Sequence, residues 1–177
     1  MFKEIKNTTL SFLILLLLTC LLNVNTKLVI CSGIYVSLML MILLLTEIYS
    51  KKEVLFILVI CILPNIILLD NTPVDTMIIG SFFSLIVSVY FGINLSRYLR
   101  YRVTFPIQIL IALISSSFID STLIGLSLIT KYSVTKAMSI GVYDFGLKAF
   151  YSTAVFLMIY GMRYVKNTYL LYVEKHK

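Results

Sequence analysis

Long apolar stretches alternate along this chain with short polar breaks. A membrane-crossing helix needs around 20 mostly apolar residues, and six stretches approach that length: about 8–24, 28–49, 54–70, 75–95, 104–130 and 143–164. Asn23, Asn25 and Lys27 separate the first two, and Ser50-Lys51-Lys52-Glu53 separates the second from the third. Asp70-Asn71-Thr72-Pro73 has the chemistry of a turn, and the run from Arg97 to Arg102 closes the fourth. Only helices or closed barrels satisfy every backbone group in lipid, and runs of this length exclude barrel strands. The pattern predicts an all-α integral membrane protein with six transmembrane helices in one compact bundle, residues 1–177 forming a single domain. Pro64, beside Asn65, is expected to kink the third helix, because proline removes a backbone hydrogen bond.

Composition agrees with this pattern. Hydrophobic residues make up 60% of the chain and charged residues 13%, whereas soluble domains run near 45–50% and about 25%. Cys20, Cys31 and Cys61 all lie in apolar runs without metal-ligand spacing, and read as small buried hydrophobes. Lys3 and Lys6 precede LSFLILLLLTCLLNV, which has the look of a signal peptide. No A-x-A-like cleavage site follows and Thr19 before Cys20 fits a lipoprotein site poorly, so this segment reads as a retained first helix.

The net charge of +7 speaks to topology rather than to nucleic acid. With the N-terminus inside, cytoplasmic segments hold Lys3, Lys6, Lys51, Lys52, Arg97, Arg100, Arg102, Arg163, Lys166, Lys175 and Lys177. The outer side holds Lys27, Lys131 and Lys136, and Lys148 lies within a span. The positive-inside rule then puts both termini in the cytoplasm of a multi-pass protein of the cell (inner) membrane. Arg97, Arg100 and Arg102 read as topological anchors, or as a docking surface for a cytoplasmic partner or anionic lipid. His176, in the polar tail, reads as solvated.

Soluble catalytic signatures are missing. The chain has no Walker A loop, no G-x-S-x-G and no H-E-x-x-H, and it lacks the cluster of His and carboxylates that metal-dependent hydrolysis needs. The expectation is a protein that is not an enzyme and uses no cofactor or metal. What remains is polar chemistry at membrane depth. Asp120 in SSSFIDSTLIG and Lys148 in DFGLKAFYST sit inside apolar helices, where a central charge costs roughly 2.5–3.5 kcal/mol on insertion scales. Ser117, Asp120 and Ser121 share one helix face, as do Asp144, Lys148, Tyr151 and Ser152. Adjacent antiparallel helices would let Asp120 and Lys148 meet in the outer half of the bundle. A structural ion pair, or Lys148 satisfied by Asp144 one turn away, is the plainer reading; a ligand site walled by these groups is the sharper one.

Other polar positions are weaker candidates. Glu47 ends the second helix near Lys51, at the spacing that stabilises a helix end, and Asn25 and Lys27 sit at the outer mouth. Ser81, Ser84 and Ser88 form a small-residue stripe that close helix packing explains more simply than substrate contact.

Five stretches together resemble the queuosine precursor transporters, also described as the vitamin uptake transporter family of small six-helix membrane proteins. They are NVNTKLV from Asn23, LTEIYSKKEVLF from Leu45, SFFSLIVSVYFGINLSRYLR from Ser81, SSSFIDSTLIGL from Ser115 and YDFGLKAFYSTAVFLMIYGM from Tyr143. The chain departs from the family pattern at Leu43, Ser50, Ser117 and Met158, where an Asp, a Gly, an amide and a Pro are usual. The resemblance implies uptake of a 7-deazaguanine-type base, a queuosine precursor, with Asp120, Lys148, Ser117, Ser121, Tyr151, Asn25 and Glu47 as the substrate-binding set. A carboxylate accepts two adjacent N–H donors of a guanine-like edge, and Tyr151 offers a stacking ring. The implied partners are a purine-like small molecule and the lipid bilayer, with a homo-oligomer or a cytoplasmic energising ATPase module as a further partner, and no nucleic acid. A small membrane scaffold of envelope assembly is the alternative from another class; it has less need of charge inside the membrane.

Overall fold

The computed structural model describes residues 2–25, 27–68 and 76–175, which form six helices and, among the described residues, no strand. They are α1 (Phe2–Val24), α2 (Leu28–Leu45), α3 (Lys51–Leu68), α4 (Thr76–Leu99), α5 (Phe105–Leu128) and α6 (Val134–Lys175). The expected turn at Asp70–Pro73 and the tail residue His176 lie outside the described residues. Four stretches, Leu28–Leu45, Ile79–Leu99, Phe105–Leu128 and Val134–Val165, are long and apolar enough to cross a membrane, and Leu10–Leu22 is a shorter apolar segment. By length and composition the chain is a membrane protein.

Helix boundaries follow local chemistry. At the start of α3 the Ser50 N–H donates to Glu53 Oε2 at 2.9 Å, and the Glu53 N–H returns a bond to Ser50 Oγ at 3.4 Å. This reciprocal capping box satisfies donors that the first helical turn leaves free. It explains why the polar break between the second and third apolar runs is so short. Thr104 precedes α5 in an extended conformation and Pro106 sits in its first turn, where a missing N–H does no harm. Helix α3 continues through Pro64 to Leu68.

The largest departure from the apolar pattern is α6. It begins at Val134, not near 143, and its 42 residues span about 63 Å at 1.5 Å per residue, far beyond the roughly 30 Å hydrocarbon core. Hydropathy marks where a helix is apolar, not where it starts. Thr135, Lys136 and Ser139 weaken the apolar signal, yet no proline interrupts the segment. The connection from α5 to α6 is therefore only Ile129–Ser133, and Lys136 belongs to a helix rather than a loop.

Helices α4, α5 and α6 pack in sequence order, while α2 lies across them and touches all three; α1 packs on α2 and α3. Tyr35, Met39, Ile42, Leu85, Val89, Ile93, Ile109 and Leu113 are among the fully or almost fully buried side chains of the core. Close approach of α5 and α6 depends on two glycines: a Cβ on Gly141 would stand 3.1 Å from the Ser121 carbonyl oxygen and 3.5 Å from Gly125 Cα. An edge-to-face pair, Phe118 and Phe145 at 5.6 Å, fills the same interface.

Candidate ligand-binding site

The polar side chains of α2, α4, α5 and α6 converge at one level of the bundle. Asp120, Asp144 and Lys148 are each 2% exposed. Lys148 Nζ donates to Asp120 Oδ2 at 2.6 Å, to Asp144 Oδ2, and to Ser121 Oγ at 3.3 Å. One ammonium thus bridges two carboxylates, and the two accounts of Lys148 that the sequence allowed both hold. The α6 pair is an i,i+4 contact within one helix; the Asp120 contact crosses to α5 and relies on the glycine-tight packing described above.

Hydroxyl groups complete the shell. Ser121 Oγ donates to Asp144 Oδ2 at 2.6 Å and Ser32 Oγ, from α2, donates to Asp144 Oδ1 at 2.8 Å. Ser84 Oγ, from α4, donates to Asp120 Oδ1. Tyr35 on α2 holds its ring 4.5 Å below the Lys148 ammonium and donates its hydroxyl proton to Ser88 Oγ at 3.0 Å. A cation over an aromatic face is attracted by the ring quadrupole, most strongly where water is excluded. Every carboxylate oxygen in the cluster is hydrogen-bonded, as buried polar groups must be to persist.

Both carboxylates and the lysine form part of the wall of a cavity of about 210 Å³ that reaches the α1–α2 turn at Asn25 and Leu28. Tyr35 and Ser81 also line it. The cavity combines an ionic floor with apolar sides from Leu22, Leu85 and Ile124. Small-molecule sites have this character: mostly apolar walls with a few convergent polar groups.

The structure separates the sequence candidates into three groups. Asp120, Lys148 and Asn25 line the cavity, and Ser121 braces the ion cluster from behind. Tyr151 is not at the cavity; its ring packs on Gly33 of α2, with ring carbons 3.5–3.7 Å from where a Cβ would be. Ser117 is fully buried one turn before Ser121, and its hydroxyl has no hydrogen-bond partner among the described residues. Glu47 lies beyond the far end of α2, about 20 Å along that helix from Ser32, and pairs with Arg100 at 2.6 Å. At the same end Lys51 donates to Asn94 Oδ1 at 2.6 Å and sits 3.6 Å over the Tyr90 ring. Glu47 and Tyr151 are thus not brought to the Asp120 cluster.

The sequence pattern carries no cue to Ser32, Tyr35 or the acceptor role of Ser88, and by spacing alone the α4 serines read as packing residues. Ser84 and Ser88 instead bond to Asp120 and Tyr35. A serine in an apolar helix gives no signal of its own, because its hydroxyl can turn back to its own helix. The i,i+4 spacing of Asp144 and Lys148 was the one local cue to the second carboxylate. No family model, no curated protein and no solved structure matches the chain.

Proposed function

We propose that this protein is an inner-membrane transporter that takes up a small, flat, nitrogen-rich molecule of the 7-deazaguanine type. In this reading all six helices cross the bilayer and both termini are cytoplasmic, as the distribution of Lys and Arg requires. The observation that carries the reading is the Asp120–Lys148–Asp144 cluster, buried in the bundle yet forming part of a cavity wall. Ionisable groups at membrane depth are expensive, and they mark substrate and ion pathways. The cavity supplies what a guanine-like edge needs: carboxylate oxygens to accept paired N–H donors, the Lys148 ammonium to meet a carbonyl, and Tyr35 beside it. Cargo of this size matches a cavity of about 210 Å³ better than a peptide or lipid does.

The test is the queuosine content of transfer RNA in a strain unable to make the precursor, with candidate bases supplied in the medium. Expression of this protein should restore the modification, and Asp120→Ala should abolish the restoration with the protein still in the membrane. Full restoration by Asp120→Ala, or none by the wild-type chain with any base of this type, would remove the proposal. A second reading is favoured by one surface. At the α4–α5 turn Tyr101 is 92% exposed beside Arg100 and Arg102, a shape suited to docking a separate ATPase that energises uptake. Copurification of an ATPase supports that arrangement, and uptake by the purified protein in liposomes excludes it.

A further inference from the structure

The ion cluster is not electrically balanced. Asp120 and Asp144 carry two negative charges against the single positive charge of Lys148. Among the described residues, the groups facing the cluster supply no second cation: Asn25 comes from the α1–α2 turn, Cys31, Ser32 and Tyr35 from α2, Ser81, Ser84 and Ser88 from α4, Ser121 from α5 and Ser152 from α6. A net charge buried in a low-dielectric interior is far costlier than a neutral set, and such sites take up or release a proton until they balance. Two carboxylates sharing one site do not both stay ionised without matching cations. We infer that Asp120 is a proton-binding site, carrying one exchangeable proton when the cavity is empty.

Geometry selects Asp120 over Asp144. Asp144 accepts three hydrogen bonds, from Lys148, Ser121 and Ser32, and both of its oxygens are taken up by donors. Asp120 accepts two, from Lys148 and Ser84. A proton on Asp120 Oδ1 has a place to go, because Ser84 Oγ also lies 3.2 Å from the Asp120 backbone carbonyl. Ser84 then turns its hydroxyl proton to that carbonyl and accepts the carboxyl proton on its lone pair. Asp120 is also part of the cavity wall, which gives the proton a route to water. A metal cation is a poorer occupant. The space between the carboxylates is filled by the Lys148 ammonium, a hard cation seeks six or more oxygen ligands or retained waters, and among the described residues no group of three or more His, Cys, Asp or Glu gathers.

The site gains a role in the transport reading proposed above, on which the following consequence rests. Asp120 accepts the paired N–H donors of a base only after its proton leaves, so docking of the base and release of one proton occur at the same carboxyl. Linkage of one proton to binding makes affinity rise by up to about tenfold per pH unit, until the empty protein also loses the proton.

The proton is tested on the purified full-length protein without cargo, by infrared difference spectroscopy of the protonated carboxyl C=O stretch at neutral pH. The wild-type chain should show the band of one protonated carboxyl. Asp120→Asn should lose it, and this variant should fold because its remaining Asp144–Lys148 pair is neutral. Ser84→Ala should shift the band by removing the acceptor of the carboxyl proton, while Ser32→Ala leaves it in place. Absence of the band in the wild type overturns the proposal, as does a band shifted by Ser32→Ala and untouched by Ser84→Ala. Titration with 7-deazaguanine separates the two claims. A band without any binding of the base removes the transport reading alone; binding without a band removes the proton site alone. Binding that is independent of pH in a protein showing the band overturns the link between them.

Discussion

Ser32 and Asp144 are 112 positions apart in the chain and are joined by a 2.8 Å hydrogen bond between buried side chains. That bond fixes α2 against α6 and holds Asp144 facing the ammonium of Lys148. Ser32→Ala removes the donor without opening a large hole. Interhelical bonds of this kind contribute roughly 0.5–2 kcal/mol in membranes, and loss in that range is expected in thermal unfolding of the detergent-solubilised protein. Combined with Asp144→Asn, the two losses should fall short of their sum, because they act on one interaction.

Among the described residues, Lys148 is the only cation that Asp120 and Asp144 touch. Lys148→Met leaves buried carboxylates without it, and removing one partner of a buried pair typically destabilises by about 3–5 kcal/mol. Folded yield by size-exclusion chromatography should collapse at neutral pH. It should recover in part on acidification, since protonation neutralises the abandoned carboxyl groups. Adding Asp144→Asn to Lys148→Met should also restore part of the yield, because it removes the carboxylate left without its cation.

Gly141 and Gly146 lie on the same helix but make opposite demands. A Cβ at Gly141 meets the Ser121 carbonyl oxygen at 3.1 Å, and at Gly146 it meets nothing within 4 Å. Gly141→Ala should push α6 away from α5 at the level of Ser121 and destabilise by roughly 1–3 kcal/mol, the usual range for overpacking. Gly146→Ala should be neutral or stabilise by up to about 1 kcal/mol, through helix propensity alone. Paired unfolding curves of the two variants test this contrast.

The Ser117 hydroxyl is buried without a partner among the described residues. An unsatisfied buried polar group is a liability of about 1–3 kcal/mol, so Ser117→Ala should hold or raise the melting temperature. A clear drop would mean that the hydroxyl bonds to something in the working protein.

Glu47 and Arg100 form an ion pair at 2.6 Å with half-exposed side chains. Exposed pairs are worth about 0–1 kcal/mol, and this one lies far from the cavity. Glu47→Gln should change stability by no more than that and leave binding of 7-deazaguanine intact; loss of binding would return Glu47 to the site.

Much of the architecture was written locally. Six apolar runs gave six helices, the Ser50–Glu53 capping box sat at a predicted break, and Asp120 and Lys148 met as neighbours on adjacent helices should. Apolar runs and i,i+4 faces are properties of a single helix, readable from spacing alone. The length of α6 was not readable this way, because polar residues inside a helix leave hydropathy silent while the backbone continues.

Which faces meet was decided only by packing. Glycines at 125 and 141 set how near α6 lies to α5, and the crossing of α2 over α4, α5 and α6 delivers Ser32 and Tyr35 to the cluster. Ser84 arrives from α4 by the same packing. That charges lie inside apolar helices, and on which helices, is legible from residue order alone. That two carboxylates share one ammonium is a result of helix packing, since the charge balance of a buried site depends on distances between helices that no local pattern encodes.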